Sequence, residues 1–359
     1  MSDNNGYDRS SVIHGGDVYR NNVELDFSVS LNPEPIPSEV ENAAFRGVYA
    51  MDRYPDPLYT ELRQAIAAFE EVDPDEVLCG NGASELIMGI VHAVMPRKAL
   101  IVSPCYAGYE IALAAAGAEV EEYMLDEGND FKPDAGFLDM IEDDTDLIFL
   151  GNPNNPVGNL IDEDLLETIC AKCKETGTVL VLDECFIHLT KRYDQKPDLT
   201  DGAIHLRAFT KTFSMPGIRC GYMLSGDRKL LSEVRKHLPE WNVSVVANQA
   251  GIAAAKVLKD TDYLERSVRN INRLRLELVA EAALLRVKMY RSNANYLLIR
   301  SRYDLYGPLL SRGILVRKCD NFHGLDDSFI RIGIKSRRDN FELVNAIKEI
   351  MKERSEDDI

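Results

Sequence analysis

The sequence has no uninterrupted apolar run of about 18 residues, so nothing in it reads as a membrane-spanning helix. It is short of basic charge: 41 Lys and Arg stand against 59 Asp and Glu, for a formal net charge of −18. That balance argues against nucleic-acid and anionic-membrane partners, which need phosphates neutralised over a broad surface. It leaves room for a small anionic ligand, which needs only a few arginines gathered in one cleft. The polar first residues lack the basic-then-apolar layout of a secretory signal. Seven cysteines, an odd number scattered along 359 residues, suggest no disulfide framework. Both points lead to the expectation of a cytoplasmic protein with reduced thiols. Cys170 and Cys173 form a CxxC, but no second CxxC and no nearby His completes a metal site, and no metal is expected. The blander reading is a buried helix face shared by Leu165, Leu166, Ile169, Cys170 and Cys173, with Gly177 as C-cap.

What is present is ordinary for a globular chain: 45% hydrophobic and 28% charged residues, and length enough for two domains. From about residue 75 to 225, short β-branched runs alternate with amphipathic helical patterns. Strands are expected at 77–79, 99–102, 147–150, 179–182, 206–209 and 220–224. Strands separated by helices imply βαβ units and a largely parallel sheet covered on both faces. The C-terminal third changes character. A long helix over about 263–284 leads into strands at 296–299, 314–318 and 329–334, with helices around 303–311 and 338–352. In the last helix Phe341, Val344, Ile347 and Met351 are expected to form the buried stripe. The first 40 residues, with Pro33, Pro35 and Pro37, read as an arm rather than a domain.

In an open parallel sheet, ligands bind beyond the carboxyl ends of the strands. Four polar groups fall there. Gly82, Ala83 and Ser84 follow a strand and open a helix, where free N–H groups and the helix dipole favour an anion; a plain strand-to-helix turn is the alternative. The stretch Gly151-Asn152-Pro153-Asn154-Asn155-Pro156-Val157-Gly158 forces a rigid turn, and its asparagines exceed what a turn needs. Asp183 ends an apolar strand, where a carboxylate is costly to desolvate unless paired. It is either a buried ion pair or the partner of a ring nitrogen. Lys211, in Thr210-Lys211-Thr212-Phe213-Ser214-Met215-Pro216-Gly217-Ile218-Arg219, follows another strand end, where a desolvated amine can lose its proton and attack a carbonyl. Thr210 and Arg219 offer phosphate contacts.

In this order, with Tyr106 after the second strand, the four groups resemble the fold-type I pyridoxal-phosphate (PLP) enzymes of the class I/II aminotransferase family, over essentially the whole chain. The resemblance implies an α/β fold: a large domain with a mixed, mostly parallel seven-stranded sheet flanked by helices, and a smaller α+β C-terminal domain. It suggests an N-terminal arm over 1–45, a large PLP-binding domain over 46–250 and a small domain over 251–359. It implies that Lys211 holds the cofactor covalently, that Asp183 partners the pyridine nitrogen and that Asn155 binds the ring hydroxyl. Tyr106 would stack on the ring, while Gly82, Ala83, Ser84, Thr210 and Arg219 hold the phosphate. Arg331 would clamp the substrate α-carboxylate. Tyr54 would reach the cofactor phosphate of a neighbouring subunit, which implies a homodimer with shared sites.

Two branches look closest, the histidinol-phosphate aminotransferases and the L-threonine-O-3-phosphate decarboxylases of cobalamin synthesis. His14-Gly15-Gly16, Leu25-Asp26-Phe27-Ser28 with Asn32-Pro33, Trp241-Asn242-Val243, the run 294–298 and the stretch 319–325 resemble the decarboxylases more. So does Phe186, which stands where aminotransferases commonly carry a tyrosine. Asp17 and Asn242-Val243-Ser244 depart from that branch's pattern. The resemblance puts a small phosphorylated amino acid or amine near His14, Asn32, Arg317 and Arg331, with decarboxylation the leading expectation and transamination to 2-oxoglutarate the alternative. His14 reads equally well as a hydrogen-bonded arm residue.

Overall fold

The computed structural model describes residues 14–357. The polar first residues, and with them the start of the expected arm, lie outside the described residues. Among the described residues thirteen short strands follow in chain order: β1 Leu25–Asp26, β2 Val77–Gly80, β3 Lys98–Ser103, β4 Glu119–Met124, β5 Leu147–Gly151, β6 Val179–Asp183, β7 Ile204–Ala208, β8 Gly221–Leu224, β9 Val287–Met289, β10 Tyr296–Ser301, β11 Ile314–Leu315, β12 Arg317–Lys318 and β13 Phe329–Gly333.

Seven of them form one sheet in the order β2-β8-β7-β6-β5-β3-β4. The near-continuous apolar runs of β5 and β6 occupy its middle, as strands covered on both faces must. All pairings are parallel except those of β8, which runs antiparallel to β2 and to β7. The strand β2 therefore points the same way as β7. The carboxyl ends of β2, β3, β5, β6 and β7 meet at one edge of the sheet, and all four motifs follow from them. The edge strand β4, Glu-Val-Glu-Glu-Tyr-Met, pairs only with β3. Its glutamates keep the open edge solvated and disguise it in the sequence.

A second sheet, β12-β13-β10-β9, is antiparallel and carries the helix Arg337–Asp357 and the helix Tyr263–Ala282. In the last helix the buried stripe is Leu343, Val344, Ala346, Ile347 and Ile350, whereas Phe341 is 53% exposed. The expectation for Phe341 is thus corrected. The expected stripe followed spacing alone, and the packing instead centres one position round the helix, on Leu343.

Two boundaries also move. Position 250/251 falls inside the helix Val245–Asp260, which packs against the helices Ser38–Tyr49 and Thr60–Glu70 of the large domain. Gly47 lets two of these helices touch: a Cβ there would lie 2.6 Å from Val246 Cα. Large-domain packing therefore runs to about residue 260, and already includes residues 38–45. The arm proper ends before Ser38. Its β1 pairs in parallel with β11, and Gly333 N–H donates to Phe27 O at 2.8 Å, so the arm rides on the small domain.

The CxxC pair lies as the blander reading held, buried on the helix Glu163–Thr176 with Gly177 at positive φ as its C-cap. Burial pushes both thiols up to about 12, which leaves them protonated and unreactive. All seven cysteines are free. Among the described residues no helix is long and apolar enough to cross a membrane.

Candidate active site at the strand ends

A cavity of about 340 Å³ opens where the sheet edge meets the small domain and the arm. Lys211 projects into it from the short helix Phe209–Thr212 at the end of β7. Burial lowers the amine to about 8, and the guanidinium of Arg331 pushes in the same direction. A large fraction of the amine is then neutral and nucleophilic near pH 8. Phe186 walls the site beside it, with Lys211 Nζ 5.7 Å from the ring centroid.

Asp183 lies one strand over, at the end of β6. Its Oδ2 accepts from Tyr109 Oη at 2.7 Å and its Oδ1 from the Cys185 N–H at 3.0 Å. Among the described residues it makes no ion pair, so the salt-bridge alternative falls away. Two neutral donors fix the carboxylate and leave it facing the cavity that it lines. Tyr109 escaped the sequence reading. It stands three residues after Tyr106, at the start of the helix Gly108–Ala115, and its role shows only in its contact with Asp183.

The asparagine-rich turn divides its labour. Asn152 and Asn154 are buried and hold backbone groups: Asn152 Oδ1 accepts from Ile161 N–H at 3.1 Å, and Asn154 Nδ2 donates to Pro104 O at 2.9 Å. Only Asn155 of the three lines the cavity. Its Oδ1 accepts from Arg331 Nη1, which leaves its amide N–H groups for a ligand. The excess of asparagines was therefore mostly structural.

Across the cavity, Gly82 (φ +79°) caps the helix Ala83–Val94. A Cβ on Gly82 would run into the Arg219 guanidinium, and one on Gly221 would come within 2.7 Å of Ala83 N. The glycines thus create a cradle in which a helix N-terminus, Ser84, Thr210 and Arg219 converge. Ser214 and Arg219 hold positive φ (52° and 60°), strain concentrated in the segment after Lys211. Tyr106 lines the cavity and its hydroxyl lies 3.5 Å from Ser84 Oγ. Helix N–H groups, two hydroxyls and a guanidinium fit a phosphate monoester. The neighbouring lysine and the fixed carboxylate fit an aldehyde and a protonated ring nitrogen. The donor set therefore suits pyridoxal phosphate.

The other end of the cavity is cationic. Arg317 and Arg331 face each other across the β12–β13 pair. Arg331 is buried; its Nη2 donates to Ser28 O at 2.9 Å, its Nε has no hydrogen-bond partner, and among the described residues it has no carboxylate partner. Burial lowers Arg317 to about 10, and Arg331 adds to the effect. The buried Arg331 guanidinium, with its Nε unpartnered, is costly to bury unless an anion joins it. His14 stacks on Tyr106 with ring centroids 5.4 Å apart. Burial, then Arg317, Arg331 and Lys211, lower its imidazole, which favours the neutral form. The arm motifs seen in the sequence touch here: Gly16 N–H donates to Ser28 Oγ at 2.7 Å, and a Cβ on Gly15 would lie 2.5 Å from Ser28 O. Ser28 and Val29 line the cavity and were not anticipated.

Two expected residues lie elsewhere. Asn32 is buried and does not line the cavity; its Nδ2 donates to Thr212 O (2.8 Å) and Ser267 Oγ (2.9 Å), and its own N–H to Lys211 O (3.1 Å). Its substrate-binding role is corrected to one of fastening the arm to the lysine turn. Tyr54 is 76% exposed, stacked on Trp241 at 4.5 Å, and does not line the cavity of its own chain.

An open mixed sheet carries a buried lysine, a fixed carboxylate and an anion cradle at its strand ends, an arrangement suited to an amine nucleophile. The chain belongs to the aminotransferase class I and II family, whose members are PLP-dependent enzymes; residues 36–349 match it. It is 34% identical over 337 residues to the threonine-phosphate decarboxylase of Salmonella typhimurium, covering 91% of each chain. It is 30% identical to the histidinol-phosphate aminotransferase of Methanothermobacter thermautotrophicus, covering 89% of this chain and 86% of that one. The crystal structure of the histidinol-phosphate aminotransferase from Clostridium acetobutylicum superposes with a TM-score of 0.83 at 32% identity, covering 92% of this chain and 99% of that one. Mixed sheet, lysine and family agree with the fold expected from the sequence.

Proposed function

We propose that the protein is a homodimeric cytoplasmic enzyme that binds pyridoxal phosphate on Lys211 and decarboxylates O-phospho-L-threonine. The observation that carries the substrate is the Arg317–Arg331 pair. Phosphothreonine brings two anionic groups to one amine-bearing molecule, matching two buried guanidiniums; histidinol phosphate brings one. Arg331, with its unpartnered Nε, takes the carboxylate, and Arg317 with His14 takes the phosphate.

Bound pyridoxal phosphate would supply a protonated ring that accepts the electron pair left when a bond to the substrate α-carbon breaks. Asp183, fixed by Tyr109 and Cys185, holds the proton on the ring nitrogen. Asn155 offers its amide to the ring hydroxyl. Gly82, Ala83, Ser84, Thr210 and Arg219 would hold the cofactor's phosphate, and Tyr106 would stack on its ring. Arg331 orients the α-carboxylate so that the Cα–carboxylate bond is the one that breaks, releasing CO2. Lys211 then returns a proton to Cα, and a phosphorylated amino alcohol leaves.

A second reading, transamination of histidinol phosphate to 2-oxoglutarate, is favoured by the 32% identity to the Clostridium structure. Phe186 speaks against it, because it offers the ring hydroxyl no hydrogen bond. The dimer is supported by the exposed large apolar residues Phe45, Tyr49, Met51, Leu58 and the stacked pair Tyr54 and Trp241; in it Tyr54 would reach the partner's cofactor phosphate.

A spectral titration tests the substrate. O-phospho-L-threonine is expected to perturb the cofactor absorbance at concentrations about 100-fold below L-threonine or a phosphorylated amine lacking the carboxylate, each missing one buried charge-assisted pair. Equal response to all three would discard the two-anion reading.

A further inference from the structure

The loop over residues 319–325 belongs to the small domain yet is fastened to the large one. Cys319, Phe322 and Leu325 share an apolar cluster with Val102 and Leu125 at the carboxyl edge of the main sheet. A Cβ on Gly324 would meet Met124 Cε at 2.7 Å, so the loop lies flat on the end of β4. At its tip, His323 Nδ1 is 2.7 Å from Glu122 Oε1, and its Nε2 is 3.8 Å from Glu110 Oε2. Glu122 is itself held, since Ser103 Oγ donates to its other oxygen at 2.5 Å. The inner side of the same loop meets the substrate end of the cavity. Phe322 lines it and lies under Arg317, 4.9 Å from ring to guanidinium, while Arg317 Nη2 donates to Asn321 Oδ1 at 2.6 Å.

We propose that His323 is a positioning residue: clamped between Glu122 and Glu110, it latches the 319–325 loop shut and so fixes Phe322 and Arg317 around the substrate's anionic end. The role of Arg317 rests on the functional reading above; the latch itself rests on geometry alone. His323 is half exposed and does not line the cavity, so it touches neither substrate nor cofactor. The carboxylates that face it are Glu122 from β4 and Glu110 from the helix Gly108–Ala115. On its own loop Asp320 pairs with Lys318. The hydrogen bond with Glu122 and the charges of both glutamates raise the imidazole above its ordinary 6.5. The clamp is therefore complete below about pH 6.5 and is lost as pH rises through the raised value.

Hydrogen exchange of the 319–325 amides, read beside steady-state kinetics of the PLP-loaded protein with O-phospho-L-threonine, tests this. At pH 6, H323Q and E122Q are each expected to lower loop protection about fivefold and raise KM about fivefold, with kcat within about twofold. Wild-type protection and KM should approach the H323Q values as the imidazole deprotonates. H323K, whose ammonium keeps its charge, should stay latched to higher pH. Unchanged protection in both H323Q and E122Q overturns the latch. Lowered protection with unchanged KM overturns the positioning role. If the wild-type protein turns over no phosphothreonine, the decarboxylase reading fails and exchange alone decides the latch.

Discussion

Lys211 combines two demands that normally conflict. A lysine must be neutral to attack a carbonyl, yet its side chain ordinarily titrates well above physiological pH. Burial at the end of β7 and the field of Arg331 bring it to about 8. Lys211→Ala should abolish the visible absorbance that PLP gives the purified protein; a retained band would place the covalent link elsewhere. Because the neutral amine is the nucleophile, binding of PLP to the cofactor-free protein should quicken as pH rises through about 8 and then level off. A rate indifferent to pH between 6 and about 9 would contradict that lowered value. Tyr109 acts one step back, through Asp183. Tyr109→Phe removes one of two donors to the carboxylate, and about 1 to 2 kcal/mol, or roughly tenfold, should appear as weaker PLP retention in an equilibrium titration. At this scale the sequence was most informative where a motif is local. Lys211, Asp183 and Asn155 follow strand ends, so their place needed only the strands. Asn32, Tyr109 and Ser28 depend on contacts between distant segments. Nothing near Asn32 in the chain announces Thr212 or Ser267.

The sheet edge is held by a buried ionic cluster that no local pattern announces. Arg207 of β7 donates to Glu184 Oε2 through Nε at 2.8 Å and to Glu70 Oε2 through Nη1 at 2.6 Å, while Tyr222 Oη donates to Glu70 Oε1 at 2.5 Å. Glu184 follows Asp183 directly, and Arg207 precedes Lys211 by four residues, so the cluster anchors the strand ends that carry Asp183 and Lys211. Burial pushes the two carboxyls up, but Arg207 with its neighbouring hydrogen bonds outweighs it and holds both at about 2. Depressed carboxyls stabilise the fold fully above about 4.5, and that contribution is lost as pH falls toward about 2. His205 works in the other sense. Burial opposes its charge, yet Glu184 and Asp201 raise it to about 9, so its contribution is present below 6.5 and fades as pH rises through about 9. Arg207→Ala should cost about 3 to 5 kcal/mol in denaturant unfolding, because two carboxylates stay buried without their cation. A loss under about 1 kcal/mol would mean the cluster is wetter than its burial implies. The central strands were legible from apolar runs and bounding glycines. The edge strand β4 was not, because an edge needs charge more than it needs apolar residues.

For the whole molecule, the arm joins three parts: it pairs with β11, packs on β13 and hydrogen-bonds to the Lys211 turn. Small-domain position and cofactor site are therefore mechanically linked through residues 25–32. The exposed aromatics Tyr49, Tyr54 and Trp241 mark the surface on which the proposed second copy would dock. In the proposed dimer the partner's Tyr54 would reach the cradle, so Y49E should shift the sedimenting species from dimer to monomer and weaken PLP retention. A dimer unaffected by Y49E would move the interface elsewhere. Length and the change of pattern near residue 260 suggested two domains, but could not place helix packing that runs across the expected border. That packing belongs to the helix Val245–Asp260, whose partners, Ser38–Tyr49 and Thr60–Glu70, are some 200 residues earlier in the chain.

The reaction itself is decided by products. The PLP-loaded protein is to be given O-phospho-L-threonine without any keto acid and, separately, histidinol phosphate with 2-oxoglutarate. CO2 and a phosphorylated amino alcohol in equal amounts from the first mixture, with little glutamate from the second, is the result expected of a cavity with Arg317 opposite Arg331 and Phe186 beside Lys211. Glutamate from the second mixture with no CO2 from the first would contradict it.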